Sequence, residues 1–269
     1  MLKISIITIN RNNKVGLTKT IQSVLVQSYR NYEYIVIDGD SDDGSVDVIK
    51  QFANQISYWI TEPDNGIYHA MNKGILKATG DYCLFLNSGD GLLHENVLQE
   101  LCLIPFDEDI VYGNIIKLYP GKNQRDRGIA KSEISLYNLS VDRINHQATL
   151  IKRNLFDKFG LYSEEFQIAS DWKFFLDAII VGNASVKYID KDISFFDING
   201  MSSVRLKEAY DELMQILCST FPPRVLAVIW ELFRYKHSKF VCFYDRLIEN
   251  KFLMKIYNML AHGKSKQNS

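Results

Sequence analysis

The stretch "YEYIVIDGDSDDGS" at residues 32–45 joins three local patterns. Its first seven residues form an apolar, β-branched run, which predicts a buried strand. The acids and glycines at 39–44 are typical of a turn, and Ser45 can cap a following helix. A buried strand that turns directly into a helix is the repeating unit of α/β proteins.

The same unit recurs on both sides of this stretch. The runs "ISIITI" (4–9), "ISYWIT" (56–61) and "DYCLFLN" (81–87) predict three more strands, with helices at 15–28 and 67–78. Strands alternating with helices predict a parallel sheet with right-handed crossovers and helices on both faces. In open sheets of this kind ligands bind outside the carboxyl ends of the strands.

The second half of the chain is less regular. Strands are predicted for "DIVYGNII" (109–116), "HQATLI" (146–151), "ASVKYID" (184–190) and "ISFFDI" (193–198). Residues 117–145 are polar and weakly patterned, which indicates a long loop. A helix is expected in the segment that contains "SDWKFFL".

Beyond residue 203 the pattern is helical and is broken at Pro222-Pro223. We therefore expect an α/β domain over 1–205, a C-terminal helical extension over 206–262 and a disordered tail over 263–269. The central sheet of the domain should be mixed but mostly parallel and flanked by helices.

Composition excludes several classes of protein. Hydrophobic residues make up 46% of the chain and charged residues 23%, which is typical of a globular protein with a substantial core. The net charge of −1 gives no indication of a nucleic-acid binder. We see no signal peptide and no apolar run of the roughly 20 residues that span a bilayer. Four widely spaced cysteines favour reduced thiols and a cytoplasmic location.

Asp38, Asp64 and Asp90 come at or just after the ends of three predicted strands. Since the carboxyl ends of parallel strands lie along one edge, we expect these carboxylates to converge. Converging acids repel one another unless a cation or hydrogen-bond donors relieve the repulsion. Aspartates that only cap helices and close turns are the simpler interpretation, and it stays open.

Glycine-rich phosphate cradles are absent, because the sequence contains neither GxGxxG nor GxxxxGK[ST]. A phosphate ligand would then need a metal and side-chain donors. The hard cations Mg²⁺ and Mn²⁺ prefer oxygen ligands and complete their shells with water and phosphate. We expect Asp90 to hold such a cation, shared with a diphosphate.

Four segments in register resemble the family 2 glycosyltransferases of the GT-A (Rossmann-like) fold: "SIITINRN" (5–12), "IVIDGDSDDGS" (35–45), "EPDNGIYHAMNKG" (62–74) and "LFLNSGD" (84–90). They are most similar to bacterial members that build capsular polysaccharide, colanic acid or O-antigen. The resemblance continues through "NHQATLIKRNLFDKFGLYSEEFQIASDWKFFL" and "GMSS" (200–203), so that it covers roughly 3–205.

The resemblance implies an inverting transfer, of hexosyl type, from a UDP- or GDP-sugar to a hydroxyl of a lipid-linked or saccharide acceptor. It implies that Asp90 holds the cation and that Asp171 is the general base. The nucleotide-binding positions that it implies are Thr8, Asn10, Asp38, Asp64, Asn72, Lys73 and Ser88. His146 and Gln147 are candidates for the sugar or acceptor pocket.

One alternative to an active transferase stays open. Ser88 stands where the family has the first acid of its DxD motif, and His69 replaces a usual aspartate. The alternative is a degenerate protein that binds a nucleotide sugar or partner proteins without transfer.

The C-terminal segment 219–260 interleaves Lys and Arg with Trp, Phe and Leu. This pattern is typical of helices that lie on an anionic bilayer surface, here the inner face of the plasma membrane. A helical cap over the sheet or a homodimer contact is the other interpretation.

Overall fold

One sheet carries every strand of the described part of the chain. The computed structural model describes residues 2–129, 134–197 and 205–236. Its strands are β1 Ile4–Asn10, β2 Tyr32–Asp38, β3 Tyr58–Thr61, β4 Tyr82–Phe85, β5 Gly91–Leu92, β6 Ile110–Tyr119, β7 Lys122–Asp126, β8 Thr149–Lys152 and β9 Val186–Asp197.

The helices of these residues flank that sheet or follow it in the chain. They are α1 Lys14–Leu25, α2 Ser45–Phe52, α3 Ile67–Lys77, α4 Val97–Leu103, α5 Leu136–Val141, α6 Asn154–Phe159, α7 Ser170–Phe175, α8 Leu206–Thr220 and α9 Pro223–Lys236. Short 3₁₀ turns cover Ala53–Gln55 and His146–Ala148, and a π-helical turn over Leu176–Val181 continues α7.

The sheet has the order β3-β2-β1-β4-β8-β6-β9-β5, with β7 paired to β6. Pairing is parallel through β3-β2-β1-β4 and between β6 and β9, and it is antiparallel where β8, β5 and β7 join. The predicted α/β fold with a mixed sheet is confirmed. The antiparallel share is larger than expected, because β7 and β8 of the less regular second half and the two-residue strand β5 all pair antiparallel.

Alternate side chains of the parallel strands enter two separate cores, since successive residues of a strand point to opposite faces. Ile7 and Ile35 pack with α3, α6 and α7 on one face. Ile6 and Tyr34 pack with α1, α2 and α4 on the other face. Burial on both faces explains why these strands read as continuous apolar runs.

Three predictions for the second half were wrong. Residues 117–145 are not a single loop, because β6 runs on to Tyr119, turns at Gly121 (φ +74°) and returns as β7, and α5 follows. The strand predicted at 146 begins at Thr149, after the 3₁₀ turn. The two late strands are one strand, β9.

The physical reasons differ between these errors. The residues of β7 are mostly exposed and polar, so its sequence lacks the alternation of apolar and polar residues from which a strand is predicted. In β9 the acids Asp190 and Asp192 interrupt the apolar pattern, but both accept hydrogen bonds from the buried amide of Asn114. Register shifts between β6 and β9 beside Asn114 accommodate this polar insertion.

The chain divides into two compact units, Met1–Ile216 and Leu217–Ser269. The division falls inside α8, whose first residue lies where we expected the extension to begin. No helix of the described ranges is both long and apolar enough to cross a membrane. The expectations for "GMSS", for most of 219–260 and for the tail lie outside the described residues.

Candidate active site

The edge of the sheet where β1, β2 and β3 end is organised by Asp38. Its buried carboxylate accepts hydrogen bonds from Asn10 Nδ2 (2.7 Å), from Thr61 Oγ1 (2.8 Å), and from the hydroxyl and amide of Ser41 (2.7 and 3.0 Å). Four donors satisfy both oxygens of the carboxylate. Asp38 therefore fixes three neighbouring strand ends, while Oδ1 of Asn10 is left buried without a partner.

Asp64 and Lys73 form an ion pair next to this edge. Lys73 Nζ lies 2.6 Å from Asp64 Oδ1 and 2.8 Å from Glu62 Oε1. Burial would lower the pKa of Lys73, but the hydrogen bonds and charges of the two carboxylates outweigh burial and raise that pKa. Asp64 also reaches the turn that follows Asp38. A side-chain Cβ placed on Gly39 of that turn would lie 3.0 Å from Asp64 Oδ2.

Three of the expected site residues lie in the interior. Thr8 is fully buried in β1 and accepts a hydrogen bond from the Tyr34 hydroxyl at 3.1 Å. Asn72 exchanges two hydrogen bonds with the backbone of Tyr162 and donates a third to Glu164. Gln147 is buried in the 3₁₀ turn that precedes β8.

The turn that follows β4 is clamped to its surroundings. Thr20, in the middle of α1, accepts a hydrogen bond from the Gly89 amide (3.0 Å) and donates to the Asp90 carbonyl (2.6 Å). Asn13 donates to the Ser88 carbonyl at 2.9 Å, and the Ser88 hydroxyl donates to the Ile9 carbonyl at 3.0 Å. These contacts hold Asp90 in a fixed position at the end of the strand.

The oxygen atoms of this turn are suited to a hard divalent cation. Asp90 provides a carboxylate, and the buried Oδ1 of Asn87 has no hydrogen-bond partner. In the described ranges no three His, Cys, Asp or Glu side chains form a metal cluster by themselves. A cation here would need further ligands from water or phosphate, as Mg²⁺ and Mn²⁺ accept.

Asp171, in the first turn of α7, lies at the centre of a hydrogen-bonded group. Its Oδ1 accepts from the Tyr68 hydroxyl at 2.8 Å, and its Oδ2 lies 2.9 Å from His146 Nδ1. The other ring nitrogen of His146, Nε2, is 3.5 Å from Asn87 Nδ2. The side chains of His146 and Asp171 are 17% and 18% exposed, so a small part of each can be reached from outside.

The charges of this pair reinforce one another. Burial alone would raise the pKa of Asp171, but the hydrogen bond and charge of His146 and the Tyr68 hydroxyl lower it. Burial alone would lower the pKa of His146, but Asp171, with a contribution from Asp90, raises it. Asp171 is therefore ionised at neutral pH, and His146 takes up a proton more readily than a free histidine.

The structure thus brings most of the expected residues to one edge of the sheet. Asn10, at the end of β1, pairs in register with Asp38 of β2, and the turn with Asp90 follows β4 on the other side of β1. His146 connects that turn to Asp171. Thr8 and Asn72 hydrogen-bond within the protein instead, and Gln147 is buried in the 3₁₀ turn that also carries His146.

Sequence reasoning missed residues that support this edge. Tyr68 lies within the quoted motif at 62–74, but an aromatic residue at the start of a helix gives no sign of the carboxylate that it contacts. Thr20 is one of many polar residues on α1. The position of Asn87 directly after a predicted strand was the one signal available for its role.

The fold is that of the GT-A glycosyltransferases. It superposes on Staphylococcus aureus TarS 1-349, solved in complex with UDP, with a TM-score of 0.64 and 18% identity, covering 88% of this chain and 73% of that one. It also superposes on the mannosyltransferase PcManGT of Pyrobaculum calidifontis, solved with GDP-Man and Mn²⁺, with a TM-score of 0.56 and 11% identity over 95% and 86% of the two chains. The chain also matches TarS 1-349 in complex with UDP-GlcNAc, and it covers 58% of the length of that TarS chain.

Sequence comparison then gives the family. The model of the family "Glycosyl transferase family 2" matches residues 5–166. An uncharacterised glycosyltransferase of Mycobacterium tuberculosis is 35% identical over 66% of this chain and 69% of its own length. A PGL/p-HBAD biosynthesis glycosyltransferase of Mycobacterium bovis is 30% identical over 63% and 67%. The chain belongs to the family 2 glycosyltransferases, as the motifs predicted.

Proposed function

We propose that the protein transfers a sugar, with inversion, from a nucleotide-diphosphate donor to a hydroxyl acceptor. The observation that carries this proposal is the link from Asp90 to Asp171. The turn that holds Asp90 contacts His146 through Asn87, and His146 is hydrogen-bonded to Asp171. Asp90, the proposed cation ligand, and Asp171, the proposed base, therefore lie on the two sides of Asn87 and His146.

Asp90 and the unpartnered Oδ1 of Asn87 are the residues that would hold Mg²⁺ or Mn²⁺. The cation would neutralise the charge that gathers on the leaving diphosphate. The presence of Mn²⁺ in the PcManGT complex supports this assignment. Ser88 contributes no charge, because its hydroxyl is neutral, and the hydroxyl donates its hydrogen to the Ile9 carbonyl.

Asp171 supplies base catalysis. An acceptor hydroxyl has a pKa far above 7 and must lose its proton as it attacks the sugar, so a fixed carboxylate nearby lowers the barrier. The hydrogen bonds from Tyr68 and His146 keep Asp171 ionised and oriented.

A UDP- or GDP-sugar is the proposed donor. The structures of TarS and PcManGT contain UDP and GDP-Man, which supports both nucleotides. Asn10 Oδ1 is a buried acceptor without a partner, and both uracil and guanine carry a ring N–H that could donate to it. Asp38, whose oxygens are satisfied, orients Asn10, and Asp64 and Lys73 adjoin the same edge.

A lipid-linked or saccharide acceptor in the synthesis of a bacterial surface glycan is the proposed second substrate. The name of the Mycobacterium bovis relative, a PGL/p-HBAD biosynthesis glycosyltransferase, supports this class. A lipid-linked acceptor is consistent with peripheral membrane contact through 219–260. A homodimer contact through the same residues is the competing proposal.

The test is a panel of UDP- and GDP-sugars incubated with the protein, with and without Mn²⁺. We expect one donor to raise the melting temperature in a cation-dependent way and to release its nucleoside diphosphate. Asp90→Ala should abolish the cation dependence of both signals. Asp42→Ala, which removes an exposed carboxylate of the turn after β2, is the matched control and should behave as the unaltered protein.

The same panel separates the enzyme from a degenerate binding protein. Donor binding without release of nucleotide, with any acceptor, would contradict the proposed transfer and favour the binding protein. Full cation-dependent turnover by Asp90→Ala would contradict the assignment of Asp90.

A further inference from the structure

Two residues of α3 hold the segment that carries Asp171. Asn72 exchanges hydrogen bonds with the backbone of Tyr162, donating from Nδ2 to the carbonyl at 2.9 Å and accepting at Oδ1 from the amide at 3.0 Å. Tyr68, one turn earlier on the same face of α3, places its hydroxyl 2.6 Å from the Ile168 carbonyl and 2.8 Å from Asp171 Oδ1. Helix α3 therefore contacts both ends of the segment that leads from Tyr162 to Asp171.

The Tyr68 hydroxyl lies between two acceptors but has only one hydrogen to donate. The Ile168 carbonyl and the ionised Asp171 carboxylate both accept, so the hydroxyl can fully satisfy only one of them at a time. A hydroxyl oxygen also has two lone pairs, and it can accept a hydrogen bond when its neighbour carries a proton. Tyr68 is thus able to pair with Asp171 both before and after Asp171 takes up a proton.

The other oxygen of Asp171 does not have a partner of this kind. Oδ2 lies 2.9 Å from His146 Nδ1, and because an ionised carboxylate can only accept, Nδ1 carries a hydrogen. A proton on Oδ2 would face that hydrogen and could not form a hydrogen bond across the contact. A proton on Oδ1 would instead point at the lone pairs of the Tyr68 hydroxyl.

We infer that Tyr68 positions the base in both of its protonation states. While Asp171 is ionised, the hydroxyl hydrogen of Tyr68 points to Oδ1. Once Oδ1 holds the acceptor's proton, that hydrogen turns to the Ile168 carbonyl, and the Tyr68 oxygen accepts from Asp171. This inference rests on the proposed function, keeps Asp171 as the base and makes Tyr68 its positioning residue.

The transfer step balances with the proton on Asp171. The acceptor O–H bond breaks, its proton bonds to Asp171 Oδ1, and the oxygen's electron pair forms the new bond to the anomeric carbon of the sugar. The bond from that carbon to the diphosphate oxygen breaks, and its electron pair leaves with the nucleoside diphosphate. Tyr68 neither gains nor loses a proton, since only its O–H bond turns, and Asp171 later releases its proton to water.

The surroundings of Tyr68 suit a neutral hydroxyl that keeps its place. Burial and, after it, the charge of Asp171 raise the pKa of Tyr68 well above 10.0, so the hydroxyl keeps its hydrogen at neutral pH. The centroid of the Tyr68 ring lies 5.6 Å from that of the Tyr162 ring, and both side chains are buried. The ring is therefore held by packing, and Tyr68 acts as a partner of the base and not as a second acid.

The experiment measures kcat and KM for release of nucleoside diphosphate from the donor that the panel identifies. Tyr68→Phe keeps the ring but removes the hydroxyl, and it should lower kcat about 10- to 100-fold, because a hydrogen bond to a charged group is lost. The KM for the donor should stay unchanged, since Tyr68 acts on the base. Tyr162→Phe is the matched control and should behave as the unaltered protein, because the buried Tyr162 hydroxyl has no hydrogen-bond partner among the described residues.

A double-mutant cycle separates this role from a general structural one. If Tyr68 acts through Asp171, Tyr68→Phe should cause little further loss in a protein that already carries Asp171→Asn. An equal loss in both backgrounds, a kcat equal to that of Tyr162→Phe, or a loss confined to the KM for the donor would overturn the role of Tyr68 while leaving glycosyl transfer intact. Absence of transfer by the unaltered protein would overturn the proposed function as well.

Discussion

Individual carboxylates in this protein differ in how many hydrogen bonds their oxygens accept and in how exposed they are. Asp38 accepts four hydrogen bonds and acts on structure, whereas Asp171 accepts from two side chains and remains partly exposed. The two residues look alike in the sequence, since each is an acid that adjoins a buried apolar segment. The number of neighbouring donors and the exposure of the carboxylate, both visible only in the structure, distinguish the two residues.

Asp171→Asn should leave nucleotide binding unchanged and lower the rate of transfer by about 10²- to 10⁴-fold. The amide keeps the size of the side chain but cannot accept a proton. Titration calorimetry with the nucleoside diphosphate and a product assay measure the two properties separately. Weaker nucleotide binding in this variant would show that Asp171 acts on the donor instead.

Glu33 should contribute to stability in a pH-dependent way. Burial would raise the pKa of Glu33, but hydrogen bonds from Lys3, Ser5 and Thr79 lower it from 4.5 to about 2. A lowered folded-state pKa stabilises the fold above the unfolded value, and this contribution is lost as the pH falls from about 4.5 to 2.

Lowering the Glu33 pKa from 4.5 to about 2 corresponds to about 3.5 kcal/mol in the free energy of unfolding, at about 1.4 kcal/mol per pKa unit, and solvent screening at this partly exposed group reduces the expected contribution to about 2–3 kcal/mol. Urea denaturation of the unaltered protein and Glu33→Gln at pH 7, 4.5 and 3 measures it. The difference between the two proteins should shrink towards low pH. A difference that does not change with pH would show that the charge of Glu33 is not the cause.

At the scale of elements, the strand–helix units of the first hundred residues were predictable because β1, β2 and β4 are largely buried on both faces. Periodicity and turn chemistry suffice under those conditions. The exposed hairpin of β6 and β7, the polar insertion in β9 and the late start of β8 were not predictable, because cross-strand partners define them. The edge carrying Asp38 and Asp90 could be inferred from the ends of the predicted strands, whereas the contact of Tyr68 with Asp171 could not.

Helix α8 supports the loop that leads to Asp171. The carboxylate of Glu212 accepts hydrogen bonds from three consecutive backbone amides, those of Gln167, Ile168 and Ala169, at 2.8–2.9 Å. The Tyr68 hydroxyl lies 2.6 Å from the Ile168 carbonyl and 2.8 Å from Asp171 Oδ1, and its one hydrogen is shared between these two acceptors. A residue 41 positions beyond Asp171 therefore helps to set the backbone from which Asp171 projects.

Glu212→Gln should lower kcat and leave the KM for the donor unchanged. The neutral amide offers one acceptor oxygen in place of two, so at least one amide of the loop loses its partner, at a cost of about 1–3 kcal/mol. Glu208→Gln, on the exposed side of the same helix, is the matched control and should change little. Equal activity in both variants would show that the loop keeps its position without Glu212.

For the whole molecule, the first unit contains the proposed site, and the second unit carries a different kind of surface. Along α9, Val225, Val228, Leu232 and Tyr235 recur at helical spacing on one face and are exposed. Arg224 and Arg234 of the same helix are exposed as well. Apolar and basic residues on one exposed helix suit the proposed contact with an anionic membrane surface.

The protein should sediment with vesicles that contain anionic lipid at low salt and remain in the supernatant with neutral vesicles or at high salt. Val228→Asp with Leu232→Asp should reduce binding, because both residues belong to the exposed apolar face. Failure of the unaltered protein to sediment would contradict the membrane proposal. A fall in molecular mass by light scattering in the same variant would favour the dimer contact.

The position of Glu212 bears on how this chain can be recombined with its relatives. A chimera joined after residue 205 would receive its whole C-terminal segment, including the counterpart of Glu212, from the other parent. A chimera joined after Ile216, where the two compact units divide, would keep the native carboxylate beneath the loop of Asp171. Exchanges meant to redirect acceptor choice should use the later crossover, since the earlier one also replaces the residue that supports the loop of the proposed base.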